Sequence, residues 1–352
     1  MRVAFFSWRD LAHPQAGGSE VVVDRLARGL AARGEEVTLF AGDPVATREY
    51  PVLPLGGRFT QYVRAPFALR RHFPAPDVVV DVENGIPYFS PMWQRAPVVN
   101  LVHHVHVDQW QLYFAKPIAA VGRALEAHLM PRVYRNHRYV AVSPSTKREL
   151  AALGIAPDRI EVIEMGIDPV EHRVPESPEP TFLVLGRLVP HKRVESIIEM
   201  WESVRPKVGG RLVIAGDGPE LAALQAMAGA DVEFTGFIDA STKARLLGEA
   251  WLLVHAAMHE GWGTVVMEAA AAGTPTLAFD VLGVRDSVAN GTSGVLVDSR
   301  DAFIAEWIRL ASNDDARRSL AAGARARADA HSWDAAIDAF HGVIRAAAAV
   351  PA

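Results

Sequence analysis

The 352-residue sequence has no cysteine, which removes disulfides, thiolate nucleophiles and thiolate metal sites together and fits a reducing compartment. It also lacks a basic excess. Lys and Arg number 36 against 41 Asp and Glu, a net charge of -5, so nothing is available to hold a polyanion over a long footprint, and nucleic acid is not an expected partner. No apolar run reaches the roughly 18 residues of a membrane span. The opening MRVAFFSWRD brings Arg9 and Asp10 too soon for a signal-peptide core, so the expected location is the cytoplasm. Repeats of roughly 20 to 50 residues are missing, as are low-complexity tracts beyond Ala-rich helix. What remains is ordinary for a folded chain: 50% hydrophobic, 22% charged, and long enough for about two domains with separate cores.

Apolar, β-branched runs alternate with amphipathic stretches throughout. Strands are expected at Val3 to Phe6, Val37 to Phe40, Val78 to Val80, Val98 to Val102, Tyr139 to Val142 and Ile160 to Ile163. A second series follows at Phe182 to Leu185, Leu212 to Ala215, Val232 to Thr235, Leu252 to His255, Thr276 to Phe279 and Val295 to Val297. Helical spacing joins Val23, Leu26, Ala27 and Leu30, and again Val194, Ile197, Ile198 and Trp201, while Gly34 and Gly273 fall where helix C-caps belong. This alternation predicts two doubly wound α/β halves with parallel sheets, and ligand sites in the loops that follow the strands. The stretch Asp168 to Pro180, with four prolines and no amphipathic period, reads as a linker. A last helical pattern carries Trp333, Ile337, Phe340 and Ile344 on one face and suits either half.

Chemistry-bearing residues gather in those loops. In SWRDLAHPQAGGSE, Gly17 and Gly18 precede a helix, where bare N–H groups can approach a phosphate; a plain turn with Ser19 as N-cap explains them equally well. Asp43 after the second strand is the only sign of a ribose-binding acid, and G-x-G-x-x-G is missing. After TFLVLG come Arg187 and Lys192, two cations suited to neutralising a diphosphate leaving group. The densest signal is HEGWGTVVMEAAAAGTP, where Gly261 and Gly263 permit a tight turn, N–H groups near Thr264 open a helix, and Glu260 and Glu268 bracket the segment. Eight helical positions turn about 800°, or 80° net, which would set both carboxylates toward one hydroxyl-rich ligand.

Two further stretches are ambiguous. HHVHVDQW presents His103, His104 and His106; strand alternation would put His104 and His106 on one face with Asp108 as a conceivable third ligand, but no metal-binding spacing supports them, and a site or structural histidine is the alternative. Residues 58 to 73 mix Arg58, Arg64, Arg70 and Arg71 with Phe59, Tyr62, Phe67 and Phe73. They suit either an anionic membrane surface or a solvated helix with one packed face, which Pro66 would interrupt.

Taken in order, GGSE, GRLVPHKRVESII, VIAGDGPE, VEFTGFID, HEGWGTVVMEAAAAGTP and NGTSGVLVD resemble the retaining glycosyltransferases of family four, over nearly the whole chain. The most specific element is Glu260 to Glu268, matching the family's E-x7-E motif. The resemblance implies the GT-B fold, an α/β architecture of two Rossmann-like domains facing across a cleft. Residues 1–168 would form the acceptor-side domain, 169–180 the linker and 181–330 the nucleotide-sugar domain, with the helix 331–352 packing back on the first. It further implies transfer of a sugar from a nucleoside diphosphate donor, UDP or GDP being the expected nucleotide, with retention and without metal or other cofactor. By the same resemblance Arg187 and Lys192, beside Gly186, bind the diphosphate; Glu268 holds the ribose; Glu260, Gly261, Gly263 and Thr264 meet the transferred sugar. Gly236 and Phe237 lie on the donor side, Gly17 and Gly18 approach phosphates and acceptor, and His103, with His104 one residue away, is the active-site histidine. The catalytic set would be His103, Arg187, Lys192 and Glu260. A glycan, lipid-linked or small-molecule acceptor is implied, with peripheral contact to the inner membrane surface through 58–73 as an open expectation. Met165 stands where the family has Asn and Thr264-Val265 where it has Leu-Pro, which loosens the transfer of donor and acceptor details. An epimerase of the same fold and a non-catalytic nucleotide-sugar binder stay open beside it, and a nicotinamide dehydrogenase is disfavoured by the missing glycine fingerprint.

Overall fold

The computed structural model describes residues 1–46, 48–57 and 59–349. The chain divides into two compact units, Met1–Gly166 together with the chain from Trp333 onward, and Ile167–Ser332. Unit 1 is built on strands β1 (Arg2–Ser7), β2 (Glu36–Ala41), β3 (Val52–Pro54), β4 (Val78–Glu83), β5 (Val98–Val102), β6 (Arg138–Ala141) and β7 (Ile160–Val162). All pair in parallel, in the order β3-β2-β1-β4-β5-β6-β7. Around them lie α1 (Gly18–Ala32), α2 (Thr60–His72), α3 (Trp110–Tyr113), α4 (Lys116–Ala124), α5 (Met130–Val133) and α6 (Pro144–Ala152). Because helices cover both faces, β1 and β5 are buried almost end to end, which is why they appear in the sequence as largely apolar runs; the one polar residue inside β5, Asn100, donates its side-chain amide to Glu83 at 2.9 Å.

Unit 2 repeats the plan. Strands β8 (Thr181–Leu185), β9 (Arg211–Ala215), β10 (Val232–Gly236), β11 (Leu252–His255), β12 (Thr276–Phe279) and β13 (Gly294–Val297) form a parallel sheet in the order β10-β9-β8-β11-β12-β13. Its helices are α7 (Val194–Val208), α8 (Leu221–Met227), α9 (Ala240–Glu249), α10 (Thr264–Ala272), α11 (Val284–Ser287), α12 (Arg300–Ala311) and α13 (Asp314–Asp329). The stripe Val194, Ile197, Ile198 and Trp201 of α7 is buried, and Trp201 stacks on Trp307 of α12 with ring centroids 5.5 Å apart. Phe182 of β8 meets Trp307 edge-on at 5.3 Å, so aromatic pairs tie α7 and α12 to the middle of the sheet. In each sheet the strand order reverses at one place, between β1 and β4 in unit 1 and between β8 and β11 in unit 2. Loops leaving neighbouring strands diverge there, so ligands of open parallel sheets bind at the carboxyl ends of those strands.

The terminal helix α14 (Trp333–Ala348) belongs to unit 1. It lies on α1, where Gly29 leaves the room that Ile337 fills: a Cβ at Gly29 would sit 2.4 Å from the Ile337 Cδ1. Phe340 is fully buried and lies 6.1 Å, centroid to centroid, from Phe5 of β1. His341 and Glu35 close one rim at 2.6 Å, and Arg33 and Asp338 another at 2.7 Å. The segment Asp168 to Pro180, expected as a linker, is held along unit 2. Ser177 donates its N–H to the Glu249 carbonyl at 2.9 Å and accepts from the Trp251 indole at 2.8 Å, while Glu176 pairs with Arg317 at 3.2 Å. Its prolines suppress helix, but the Trp251 indole and the Glu249 carbonyl still hold its backbone.

Two local expectations also change. The short edge strand β3 has no sequence signal, because Pro51 and Pro54 flank only two apolar residues. Helix α2 runs through Pro66 rather than stopping there: one backbone bond is lost, but Ala65, Leu69 and Phe73 are buried on either side of it and hold the helix to the core. Gly34 (φ +86°) and Gly273 (φ +88°) end α1 and α10 in the left-handed conformation that favours glycine. Truncating Phe340 to Ala is expected to lower the unfolding free energy by about 3–5 kcal/mol in urea titrations, whereas Asp334→Ala, on the exposed side of α14, changes it by less than about 0.5 kcal/mol.

Candidate functional site

The reversal point of unit 2 lies between β8 and β11, and both strands hand over to glycine-rich loops. After β8, Gly186 (φ +144°) donates to the Ala215 carbonyl at 3.0 Å, and Gly216 (φ +145°) packs against it so tightly that a Cβ would fall 1.9 Å from the Gly186 oxygen. Gly218 meets the Leu188 carbonyl in the same way. Only glycine tolerates these backbone-to-backbone approaches, and they fix the course of the chain toward Lys192. Lys192 closes a single 3-10 turn, Pro190–Lys192, before Arg193 (φ +52°) opens α7. Gly186, Arg187, Lys192 and His255 line one hollow at the carboxyl ends of β8 and β11. Arg187 is exposed at its mouth.

After β11 the chain is clamped on two sides. The Met258 N–H donates to the His191 carbonyl at 2.8 Å, and the Glu260 N–H to the Leu282 carbonyl at 3.1 Å. Gly283 (φ +79°) allows the second contact, since a Cβ there would strike the Glu260 carbonyl at 2.0 Å. Held in this way, Glu260 accepts from Lys192 Nζ and meets His255 Nε2 at 3.0 Å, both on Oε1. Burial pushes the Glu260 carboxyl upward, but the Lys192 charge and the His255 hydrogen bond outweigh it and hold the group well below the usual carboxylate range. It is therefore an ionised acceptor with lone pairs left for a hydroxyl.

Gly263 (φ +76°) starts α10 in the left-handed conformation, and Thr264 is the first helical residue. Glu260 thus sits in the loop four residues ahead of the helix, which corrects the expectation that both acids share a helical face at 80°: only Glu268 is helical. Glu268 is engaged from the side by Lys243 of α9, Nζ to Oε1 2.6 Å. Gly261 lies beside Gly283 in the clamped loop. Gly236 (φ +67°) ends β10 and Phe237 follows it with 84% of its surface exposed, an aromatic face open to solvent.

In unit 1 the loop after β1 leads into α1, whose N-cap is Gly17 rather than Ser19. The Gly17 N–H donates to the Glu20 carboxylate at 2.7 Å, and Glu20 also pairs with Arg9 at 3.3 Å. Gly18 is the first residue of α1. Trp8, Arg9, His13, Asp43 and Gln61 line a hollow at the carboxyl ends of β1 and β2, with Asp43 itself exposed. Arg58 lies outside the described residues.

The HHVHVDQW stretch is a loop, not a strand extension. His104 and His106 still lie together, ring centroids 3.8 Å apart, while His103 is buried away from solvent. Burial drives the His103 imidazole down to about 4, with the neighbouring His106 adding to the effect, so it is neutral near pH 7. The loop is anchored by Glu126, fully buried on the wide turn Leu125–Leu129 of the α4–α5 segment, which accepts from the His106 N–H at 2.5 Å and the Trp110 indole at 2.8 Å. Gly85 and Gly122 leave room for the Trp110 ring. Asp108 is exposed, and among the described residues no group of three or more His, Cys, Asp or Glu side chains could hold a metal ion.

Sequence reasoning missed three contributors. His255 ends an apolar strand, an unusual place for a histidine, and that position was a usable signal. Lys243 and Glu126 sit on helices with ordinary charge patterns and gave none.

The family model described as Glycosyl transferases group 1 matches residues 170–327, and that described as Glycosyltransferase Family 4 matches residues 16–171. A D-inositol 3-phosphate glycosyltransferase of Nocardioides sp. is 30% identical over 91% of this chain and 83% of its own length. A glycogen synthase of Mycobacterium tuberculosis is 30% identical over 66% of this chain and 59% of its own. Among solved structures, a sucrose-phosphate synthase from Thermosynechococcus elongatus superposes with a TM-score of 0.82 at 20% identity, covering 98% of both chains. Anabaena HepE in complex with UDP and glucose gives 0.79 at 15% identity, covering 98% of this chain and all of the other.

The pH dependence follows from His103. An unfolded imidazole near 6.5 binds protons before the folded one near 4, so stability falls as pH drops from about 6.5 to about 4 and levels below that. Equilibrium unfolding of His103→Asn against the parent should show a shallower fall across this window, the difference being on the order of 3 kcal/mol at most. Identical slopes would contradict the buried neutral imidazole.

Proposed function

Because the chain belongs to the family 4 glycosyltransferases of GT-B architecture, we propose that it moves a sugar from a nucleoside diphosphate sugar to an acceptor hydroxyl with retention at the anomeric carbon. The observation that carries this reading is the Lys192–Glu260–His255 contact at the reversal point of unit 2, with Arg187 on the same hollow and the start of α10 beside it. A diphosphate needs cations and N–H donors, and a sugar needs acceptors for its hydroxyls; this site offers both within one pair of loops.

Each group then has one task. Arg187 and Lys192 hold the diphosphate, and their charge stabilises it as the bond to the anomeric carbon breaks. Lys192 has three N–H donors, so it keeps Glu260 and reaches a phosphate oxygen together. Glu260 receives a hydroxyl of the transferred sugar, oriented through His255. Glu268 takes the ribose hydroxyls, and the exposed ring of Phe237 suits a flat base. N–H groups at Gly263 and Thr264 face the developing negative charge. The acceptor attacks from the face the diphosphate leaves, and a phosphate oxygen of the donor takes the hydroxyl proton. No side chain is required as base.

UDP or GDP is the nucleotide we favour; HepE is solved with UDP. We assign the acceptor, a glycan, a lipid-linked sugar or a small metabolite, to unit 1, with Gly17, Gly18 and the neutral His103 on that side. The hollow lined by Trp8, His13, Asp43 and Gln61 offers an aromatic face and hydrogen-bonding groups for a hydroxyl-rich ring. The protein would work in the cytoplasm.

Thermal-shift measurements with UDP, GDP, ADP and TDP sugars should single out the donor, because a ligand that binds only the folded state raises its stability by mass action. With that donor, Lys192→Ala should lower kcat about 100- to 1000-fold. Unchanged turnover, or interconversion of the donor sugar without any acceptor, would overturn the assignment.

A further inference from the structure

The function proposed above uses Gln61 on the inner side of helix α2 but leaves its outer face unused, although residues 58 to 73 mix four arginines with four aromatic residues. Its inner side is accounted for: Gln61, Ala65 and Leu69 are buried and join the core of unit 1 together with Phe73. Its outer side is not. Val63 is 70% exposed and Phe67 is 67% exposed, and Phe59, just before the helix, is similarly open. At about 100° per residue, Phe59, Val63 and Phe67 step round the helix about 40° at a time, so they form one continuous apolar stripe. Arg70 falls within the same arc, and Arg71 and Arg64 border it, all three exposed. Single exposed apolar residues are ordinary, but a stripe of three edged by arginines is not.

The charge pattern identifies the occupant. From Tyr50 to Pro76 the sequence holds four Arg and one His and not one Asp or Glu, within a chain whose overall charge is -5. A second copy of this chain would bring arginines against arginines across a two-fold contact, which disfavours it. An anionic lipid surface satisfies both parts of the stripe: apolar side chains enter the acyl boundary while guanidinium groups stay among the phosphates, their stems lying along the apolar layer. No helix among the described residues is long and apolar enough to cross a membrane. We infer that the outer face of α2, centred on Val63, Phe67, Arg70 and Arg71, is a docking surface for an anionic phospholipid membrane.

The inference is independent of the catalytic assignment, since it is read by binding and not by turnover. The full chain is sedimented with vesicles of phosphatidylcholine alone and of phosphatidylcholine mixed with phosphatidylglycerol, at low and high salt. Binding is expected to the mixed vesicles, with release at high salt. The paired substitution Val63→Asp with Phe67→Asp, and separately Arg70→Gln with Arg71→Gln, should each weaken partitioning about tenfold or more while leaving the unfolding midpoint unchanged, because these side chains are exposed. Should the aspartate pair disturb folding, Phe67→Ser and the arginine pair carry the test. Three results would overturn the inference: no preference for anionic vesicles, binding that the helix variants leave intact, or a dimer in solution that the aspartate pair dissociates.

Discussion

One contact organises the candidate site of unit 2: the carboxylate of Glu260 held between Lys192 and His255. It joins three elements that are far apart in the chain, the turn after β8, the end of β11 and the loop that opens α10. Glycines at 186, 216 and 283 let the backbones approach, and the carboxylate then fixes which side chains meet. An isolated ion pair at a surface contributes little, but here the acid is nearly shielded from water and has two partners, so its ionised form is strongly preferred.

The same economy of charge appears at Glu268 and Lys243. In both places an acid assigned to hydroxyl recognition restrains a lysine from a different element. A carboxylate has acceptor capacity beyond one partner and an ammonium has three donors, so each pair can admit a ligand without being taken apart. Under the proposed function such prearranged charges would stabilise a leaving diphosphate without reorganising when the bond breaks. Unit 1 has a different character. Its histidine loop is held by a buried carboxylate on a wide helical turn, and the His103 imidazole stays neutral because burial disfavours the charged ring.

Much of this was legible in the residues, for reasons of physics. A strand covered on both faces is mostly apolar, so twelve of the thirteen strands among the described residues are readable as apolar, β-branched runs, with isolated buried polar positions such as Asp81 and Asn100. The short β3, framed by prolines at the sheet edge, carries no such constraint. The acid, double-glycine, acid arrangement of 260 to 268 was visible because tight turns demand glycine, yet the angle between its two acids was not, since Glu260 lies before the helix begins. Pro66 misleads because side-chain burial on both sides of it outweighs one missing hydrogen bond. Lys243 and Glu126 were invisible for a simpler reason: a charge on a helix looks the same in sequence whether it faces water or a partner brought in from elsewhere.

The proposed function requires the diphosphate to sit in unit 2, against Arg187, Lys192 and the start of α10. Hydrogen–deuterium exchange with and without the bound nucleoside diphosphate reads that placement segment by segment. Slowed exchange should concentrate in residues 186–193 and 258–268, where backbone amides of the clamped loops would become shielded. Slowing confined to unit 1, with those two segments unchanged, would contradict it.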